Sequence, residues 1–171
     1  MHSAIQYDRT QLSNGEYWRY LSANFIHIGW AHLGMNIGAV LLVVMLFPNS
    51  LTTFEWWLVS LFSGLCVGFF LYFLNPELEY YVGFSGCVHG LVVAASWRAR
   101  KETMLLSLSV FVLVVAKLSY EQIFGAVPGS AELSSGFVIV NSHLIGTISG
   151  LLVIFIIDFL VSKKDSKVIK I

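Results

Sequence analysis

Four polar residues in apolar stretches of the chain have side chains suited to acyl transfer. Ser85 begins one stretch, His143 lies near the start of another, and His32 and Asn36 lie four residues apart in a third. A serine hydroxyl beside an imidazole is the minimum for an activated nucleophile with a general base. An Asn amide, a neutral His N–H and the backbone N–H of Ser85 could stabilise an oxyanion. Taken alone, however, His32 and Asn36 could simply hydrogen-bond neighbouring helices.

Three further polar residues leave two interpretations open. His89 lies four residues after Ser85 and could act on it. We favour His143 as the base, because helical side chains point toward the amino terminus and His89 then lies one turn deeper, as a hydrogen-bonded support. Lys117 and Glu121 are also four residues apart. They predict either a structural ion pair or a contact for the tail of a substrate.

Two pairs of glycines could bring the serine and the histidine together. Gly86 and Gly90 follow the serine, and Gly146 and Gly150 follow the histidine, each pair with the small-xxx-small spacing that lets membrane helices approach closely. Simple adhesion of helices is the alternative explanation. Packing of the two glycine faces would place the hydroxyl near the imidazole.

The composition indicates an integral membrane protein. Of 171 residues, 57% are hydrophobic and only 12% are charged, and ten basic residues balance ten acidic ones. This excludes a nucleic-acid binder driven by basic charge and most soluble domains. The five histidines lack the spacing of a metalloprotease, and Cys66 and Cys87 lie in apolar runs, so we expect no metal, no cofactor and no disulfide framework.

Five apolar runs predict an all-α polytopic bundle with a single domain over residues 1–171. Backbone groups in hydrocarbon must be paired internally, so each run is expected to be a helix. The third run is short and opens with Gly83 to Gly86, which suggests a helix that begins below the membrane surface. The predicted helices cover residues 28–48, 51–74, 84–98, 103–120 and 137–161.

Basic residues predict the orientation of the bundle. Arg98, Arg100 and Lys101 follow the third run, and four lysines lie in the tail 162–171, so both places are expected to be cytoplasmic. Residues 1–27 then form an outer loop segment. Because nothing in this segment resembles a signal peptide, either it crosses the membrane unaided or a preceding helix is absent from the sequence.

Four motifs occur in an order typical of one family. They are Trp18-Arg19, the HxxxxHxxxN pattern of His27, His32 and Asn36, the GxSG of residues 83–86, and the HxxGxxxG of residues 143–150. Over residues 15 to about 160 the chain thereby resembles the rhomboid intramembrane serine proteases. The six-helix rhomboid core has a helix before the Trp-Arg loop, and because no apolar run precedes that loop here, we expect a sequence truncated at its amino terminus rather than a five-helix enzyme.

The resemblance implies roles for individual residues. Ser85 would be the nucleophile and His143 the base, as a dyad without a third, acidic member. His32, Asn36 and the Ser85 N–H would stabilise the oxyanion. His27 would be structural, and Trp18 and Arg19 would anchor the outer loop. Residues 137–140 and the connector 123–136, with Gly125, Pro128, Gly129 and Gly136, are candidates for a mobile cap.

A narrower resemblance points to the rhombosortase branch of bacterial rhomboids. It depends on residues 83–90 and on the stretch 116–122. It implies a bacterial inner membrane, an active site open to the periplasm, and substrates anchored by a transmembrane segment or by a C-terminal Gly-Gly-containing sorting tail. The alternative is a catalytically inactive rhomboid-like protein that binds membrane clients. A transporter is disfavoured, since inverted repeats are not evident.

Overall fold

The computed structural model describes residues 4–134 and 136–168, with only the backbone of a helix over residues 164–168. It is an all-α polytopic membrane bundle, as the sequence predicts, with one small two-stranded sheet. The elements are β1 (Tyr7–Asp8), α1 (Arg9–Ser13), α2 (Arg19–Ser22), a 3₁₀ turn (Ala23–Phe25), α3 (Trp30–Leu46), α4 (Thr53–Leu74), β2 (Tyr80–Tyr81), α5 (Ser85–Ala99), α6 (Met104–Phe124), α7 (Ser130–Ser134) and α8 (Val140–Val168).

The five predicted helices correspond to α3, α4, α5, α6 and α8, with shifted ends. Helix α6 continues past residue 120 to Phe124, where Gly125 with φ 84° ends it. Helix α8 starts at Val140 instead of 137 and continues past residue 161 to Val168, so part of the predicted cytoplasmic tail is helical. This tail has no glycine or proline to stop the helix. Residues 169–171 lie outside the described residues.

Within the described residues, fewer than five helices are long and apolar enough to cross a membrane by themselves. Helices α4, α6 and the stretch Val140–Lys163 of α8 qualify, and a fourth span forms if Arg19–Phe25 is joined to α3 across an 88° bend. Helix α5 has only 15 residues, short of the roughly 20 that a span requires. Most residues of α5 are buried among the other helices. Helix α5 therefore lies within the bundle, where neighbouring helices surround it.

The predicted outer loop segment is folded. Strand β1 pairs antiparallel with β2, Tyr7 opposite Tyr81, and both rings are buried in the core. Burial raises the pKa of Tyr7 to about 12. The Arg9 guanidinium donates to the carbonyl oxygens of Tyr72 and Asn75 at 2.8 and 2.7 Å, which satisfies groups at the end of α4. These contacts attach the amino-terminal segment to the helix bundle.

At the end of the bundle where α5 terminates, hereafter the Arg98 end, charged side chains join three helices. The Glu55 carboxylate caps the start of α4 in a capping box with Thr52 and forms an ion pair with Arg98 of α5. Arg98 also pairs with Asp158 of α8 at 2.9 Å, and the Trp97 indole donates to the same carboxylate at 3.0 Å. This network joins α4, α5 and α8 at the end of the bundle opposite Ser85.

We predict that Glu55→Ala destabilises the fold, because it removes a helix cap and leaves Arg98 partly unpaired. The expected loss is on the order of 2 kcal/mol. Thermal unfolding of the detergent-solubilised protein measures it, with the exposed Glu102→Ala as the matched control. Equal melting temperatures for the two variants would show that the network contributes nothing.

Candidate active site

A cavity of about 260 Å³ lies at the opposite end of the bundle, hereafter the Ser85 end. Its apolar lining includes Phe137 and Ile139, and its polar lining includes side chains of α3, α5, α6, α7 and α8. The structure thus brings together the residues that sequence analysis selected for acyl transfer. The polar and charged side chains around the cavity include those of His32, Asn36, Ser85, His89, Lys117 and His143.

Ser85 is the first residue of α5, and an unusual turn places it there. Gly83 has φ 132°, a conformation that favours glycine, and a Cβ at this position would lie 2.6 Å from Cε1 of His32. The Gly83 N–H donates to the carbonyl oxygen of Ala23 at 3.1 Å. The N–H of Ser85 therefore belongs to the first helical turn, where N–H groups have no intrahelical acceptor and can bind an anion.

His143 lies opposite Ser85 on α8, with Nε2 3.1 Å from the serine Oγ. The close approach depends on glycine. A Cβ at Gly86 would lie 2.7 Å from the carbonyl oxygen of Ser142, and a Cβ at Gly146 would overlap the carbonyl oxygen of Gly86. One turn deeper, Gly150 meets Gly90 in the same way. The two small-xxx-small faces are thus in direct contact along α5 and α8.

An acidic residue lies behind the histidine, a contact that the sequence analysis did not predict. Oε2 of Glu121 is 2.8 Å from Nδ1 of His143. Lys117 and Glu121 form the ion pair that their spacing allowed, at 2.6 Å, and Lys117 Nζ also lies 3.2 Å from Nδ1 of His143. Sequence reasoning missed the contact with His143. A carboxylate near the end of an apolar helix was the available signal, since such groups usually face the bundle interior.

His89 supports the site from below. Its Nδ1 donates to the backbone carbonyl of Ser85 at 2.7 Å, and its ring stacks on that of His143 with centroids 4.2 Å apart. Because a carbonyl oxygen only accepts, this bond places the proton of His89 on Nδ1. His89 therefore contacts Ser85 through the backbone carbonyl.

His32 and Asn36 line the cavity on the α3 side. The Asn36 amide donates to the carbonyl oxygen of His32 at 3.2 Å. Nδ1 of His32 is buried without a hydrogen-bond partner in the described part of the chain. The His27 ring packs edge-on against the His32 ring at 5.0 Å between centroids, which orients it. Both side chains carry N–H donors and line the same cavity as Ser85.

The Trp-Arg pair lies away from the cavity. Arg19, expected to anchor the outer loop, is buried. Its guanidinium pairs with Glu16 at 2.5 Å and donates to the carbonyl oxygen of Gln6 at 2.8 Å, which compensates its desolvation. Trp18 is half exposed, and its indole donates to the Ala4 carbonyl oxygen at 3.1 Å. Both side chains hold the amino-terminal segment against α2.

The segment expected to be a mobile cap borders the cavity. Helix α7 contributes Ser130, Leu133 and Ser134, and residues 137–139 contribute the remaining side chains on this side. Phe137 is almost fully exposed. Within the described residues, no group of three His, Cys, Asp or Glu side chains is arranged to hold a metal ion.

Comparison with known proteins identifies a matching family and a relative. A family model described as the Rhomboid domain matches residues 14–158. The relative "Rhomboid-like protein 11, chloroplastic" of Arabidopsis thaliana is 30% identical over 159 residues, which cover 88% of this chain and 54% of the relative. The chain therefore spans about half the length of that curated relative.

We predict that Gly146→Ala lowers the melting temperature in detergent, because the new methyl overlaps the Gly86 backbone and forces α8 away from α5. Overpacking of this kind costs about 1–3 kcal/mol. Gly38→Ala on α3 is the matched control, since its Cβ would meet open space. A melting temperature of Gly146→Ala equal to that of Gly38→Ala would contradict the close helix contact.

Proposed function

Because the chain belongs to the rhomboid family, we propose that it is an intramembrane serine endopeptidase with Ser85 as nucleophile and His143 as general base. The observation that carries the proposal is the 3.1 Å distance between Ser85 Oγ and His143 Nε2 at the wall of a cavity. Members of the rhomboid family act on membrane proteins within the lipid bilayer, so the proposed substrate is a membrane protein. The proposal needs no metal and no cofactor.

The reaction follows from the positions of the polar groups. Ser85 Oγ bonds to the carbonyl carbon of the scissile peptide, its proton passes to Nε2 of His143, and one electron pair of the C=O bond moves to oxygen. When this intermediate collapses, the C–N bond breaks and the proton on Nε2 goes to the departing amine. A water molecule then repeats the sequence on the acyl group, losing its proton to His143 and releasing the acid and free Ser85.

Three N–H donors are available for the oxyanion. The Ser85 N–H lies in the first turn of α5, and the side chains of His32 and Asn36 line the same cavity. Donors of this kind stabilise charge that develops only in the transition state. We therefore assign these three groups to the oxyanion site. Gly83 supports this arrangement, since its turn brings α5 close to the His32 ring.

The charge distribution supports an orientation. Three basic residues lie at or just after the end of α5 that is away from the cavity: Arg98, Arg100 and Lys101. Basic residues favour the cytoplasmic side of a membrane. The Ser85 cavity then opens to the outer face, which in a bacterial inner membrane is the periplasmic face. A substrate tail that enters from the membrane could be cut there. The rhombosortase resemblance of residues 83–90 and 116–122 makes C-terminal sorting tails our preferred substrate.

We predict that a fluorophosphonate probe labels Ser85 in the wild-type chain, and that Ser85→Ala and His143→Ala abolish the labelling. Asn36→Ala should slow it on the order of a hundredfold, the usual effect of losing one oxyanion donor. Intact-protein and peptide mass spectrometry locate and quantify the adduct. Ser96→Ala, a buried serine of the same helix bonded to the Ser107 carbonyl, is the matched control and should label normally.

Two results would contradict the proposal. Labelling that persists in Ser85→Ala would assign the nucleophile elsewhere. A folded wild-type chain that never labels would favour the inactive, client-binding alternative.

For the substrate class, we predict Ser85-dependent cleavage of a reporter with a C-terminal Gly-Gly segment, an apolar helix and a basic end. The enzyme and reporter are reconstituted together in vesicles, and release of the reporter domain is followed by gel. A reporter with the same apolar helix at its amino terminus is the control. Equal cleavage of the two reporters would contradict the preference for sorting tails, but would leave the endopeptidase proposal standing.

A further inference from the structure

Helix α6 turns one carboxylate inward although most of its side chains face outward. Its buried residues are Ser107, Leu118 and Glu121. The Glu121 side chain is only 1% exposed. An isolated buried carboxylate is costly, so its position needs a partner that repays the desolvation. Glu121 has two partners: the Lys117 ammonium, 2.6 Å from Oε1, and His143, whose Nδ1 lies 2.8 Å from Oε2.

The two nitrogens of His143 face different groups, and this fixes what each must do. Nε2 lies beside Ser85 Oγ and has to accept the serine proton, so it must be unprotonated before attack. In a neutral imidazole the proton is then on Nδ1. A carboxylate oxygen only accepts hydrogen bonds, and Glu121 is placed to receive that N–H. The geometry therefore suits the productive tautomer.

We propose that Glu121 is a positioning residue that holds His143 in the tautomer with the proton on Nδ1, and so makes the site a Ser–His–Glu triad. The inference rests on the proposed function. Glu121 does not line the cavity, so it acts through His143 without touching a substrate. Its negative charge also stabilises the imidazolium that forms when His143 takes the serine proton.

Lys117 is a second possible hydrogen-bond partner for Nδ1 of His143. Its ammonium lies 3.2 Å from Nδ1 of His143, and an ammonium only donates. A bond from Lys117 to Nδ1 would leave the imidazole proton on Nε2, where it blocks transfer from Ser85. Lys117 also donates to Oε1 of Glu121 at 2.6 Å, and Oε2 of the same carboxylate lies nearer to Nδ1 of His143, at 2.8 Å, than the ammonium does. The carboxylate thus decides which tautomer forms.

The first test separates this role from a simple ion pair. We expect Glu121→Gln to slow fluorophosphonate labelling of Ser85 by about 10³- to 10⁴-fold, the size of the loss when the acidic member of a serine-protease triad becomes an amide. We expect Lys117→Met to slow it by about tenfold or less, because the carboxylate remains. Equal losses in the two variants would overturn the proposal, since an ion pair needs both partners alike.

A matched control accounts for damage to the fold. Glu55→Gln also converts a buried, paired carboxylate to an amide, but at the Arg98 end of the bundle. It should lower the melting temperature without changing the labelling rate of the folded fraction. A loss of labelling in Glu121→Gln that is no larger than in Glu55→Gln would also overturn the proposal.

The second test reads the tautomer directly and needs no activity. The ¹⁵N chemical shifts of histidine ring nitrogens distinguish a protonated from an unprotonated nitrogen, and the His143 signals are assigned by their loss in His143→Gln. We expect a protonated Nδ1 in the wild type and a shift toward a protonated Nε2 in Glu121→Gln. A wild-type His143 protonated on Nε2 would overturn the proposal without any variant having to fold.

The two tests distinguish the possible failures. If the wild type shows the expected tautomer and its change in Glu121→Gln but never labels at Ser85, the proposed function fails and the positioning by Glu121 stands. If the wild type labels at Ser85 and Glu121→Gln labels equally fast, the positioning fails and the proposed function stands.

Discussion

The contact between the glycine faces of α5 and α8 is the constraint on which the site depends. In a bilayer, apolar side chains gain little by leaving lipid for protein, so helices associate through close van der Waals packing. Gly86 and Gly146 allow the two backbones to meet. Both helices start at the same end of the bundle, so this contact alone brings Ser85 and His143, each in a first turn, within 3.1 Å.

The other helices hold this central pair in place. Helix α4 packs against both α5 and α8. Its Ser63 hydroxyl reaches the Gly146 carbonyl oxygen at 3.4 Å, beside the glycine contact. At the Arg98 end, the ion pairs of Arg98 with Glu55 and Asp158 join the same three helices by charge. Close helix packing therefore holds the bundle together at the Ser85 end, and ion pairs hold it together at the Arg98 end.

Much of this arrangement could be predicted from the sequence because the signals are local. Long apolar runs mark the helices, and the spacing of Gly86, Gly90, Gly146 and Gly150 marks the faces that meet. The contact of Glu121 with His143 is different, since it depends on how α6 is rotated about its axis. Apolar residues occur on every side of helix α6 and its few polar residues do not form one stripe, so its overall pattern does not define an inward face.

The amino-terminal segment also escaped prediction, for a related reason. Its residues are polar and its helices short, so neither apolar length nor periodicity reveals them. What orders the segment is a set of side-chain bonds to distant backbone, such as those of Arg9 to the end of α4. Arg19 is buried for the same reason, because Glu16 and the Gln6 carbonyl oxygen replace its water.

The Lys117–Glu121 pair gives the proposed reaction an electroneutral course. Before attack, the ammonium and the carboxylate cancel, and Ser85 and His143 are neutral. After attack, an oxyanion and an imidazolium have appeared together, and the sum is again zero. A net charge is expensive in a surrounding of low polarity, whereas a rearrangement of paired charges costs far less. The cluster of Ser85, His143, Glu121 and Lys117 can therefore transfer a proton inside the protein while its net charge stays zero.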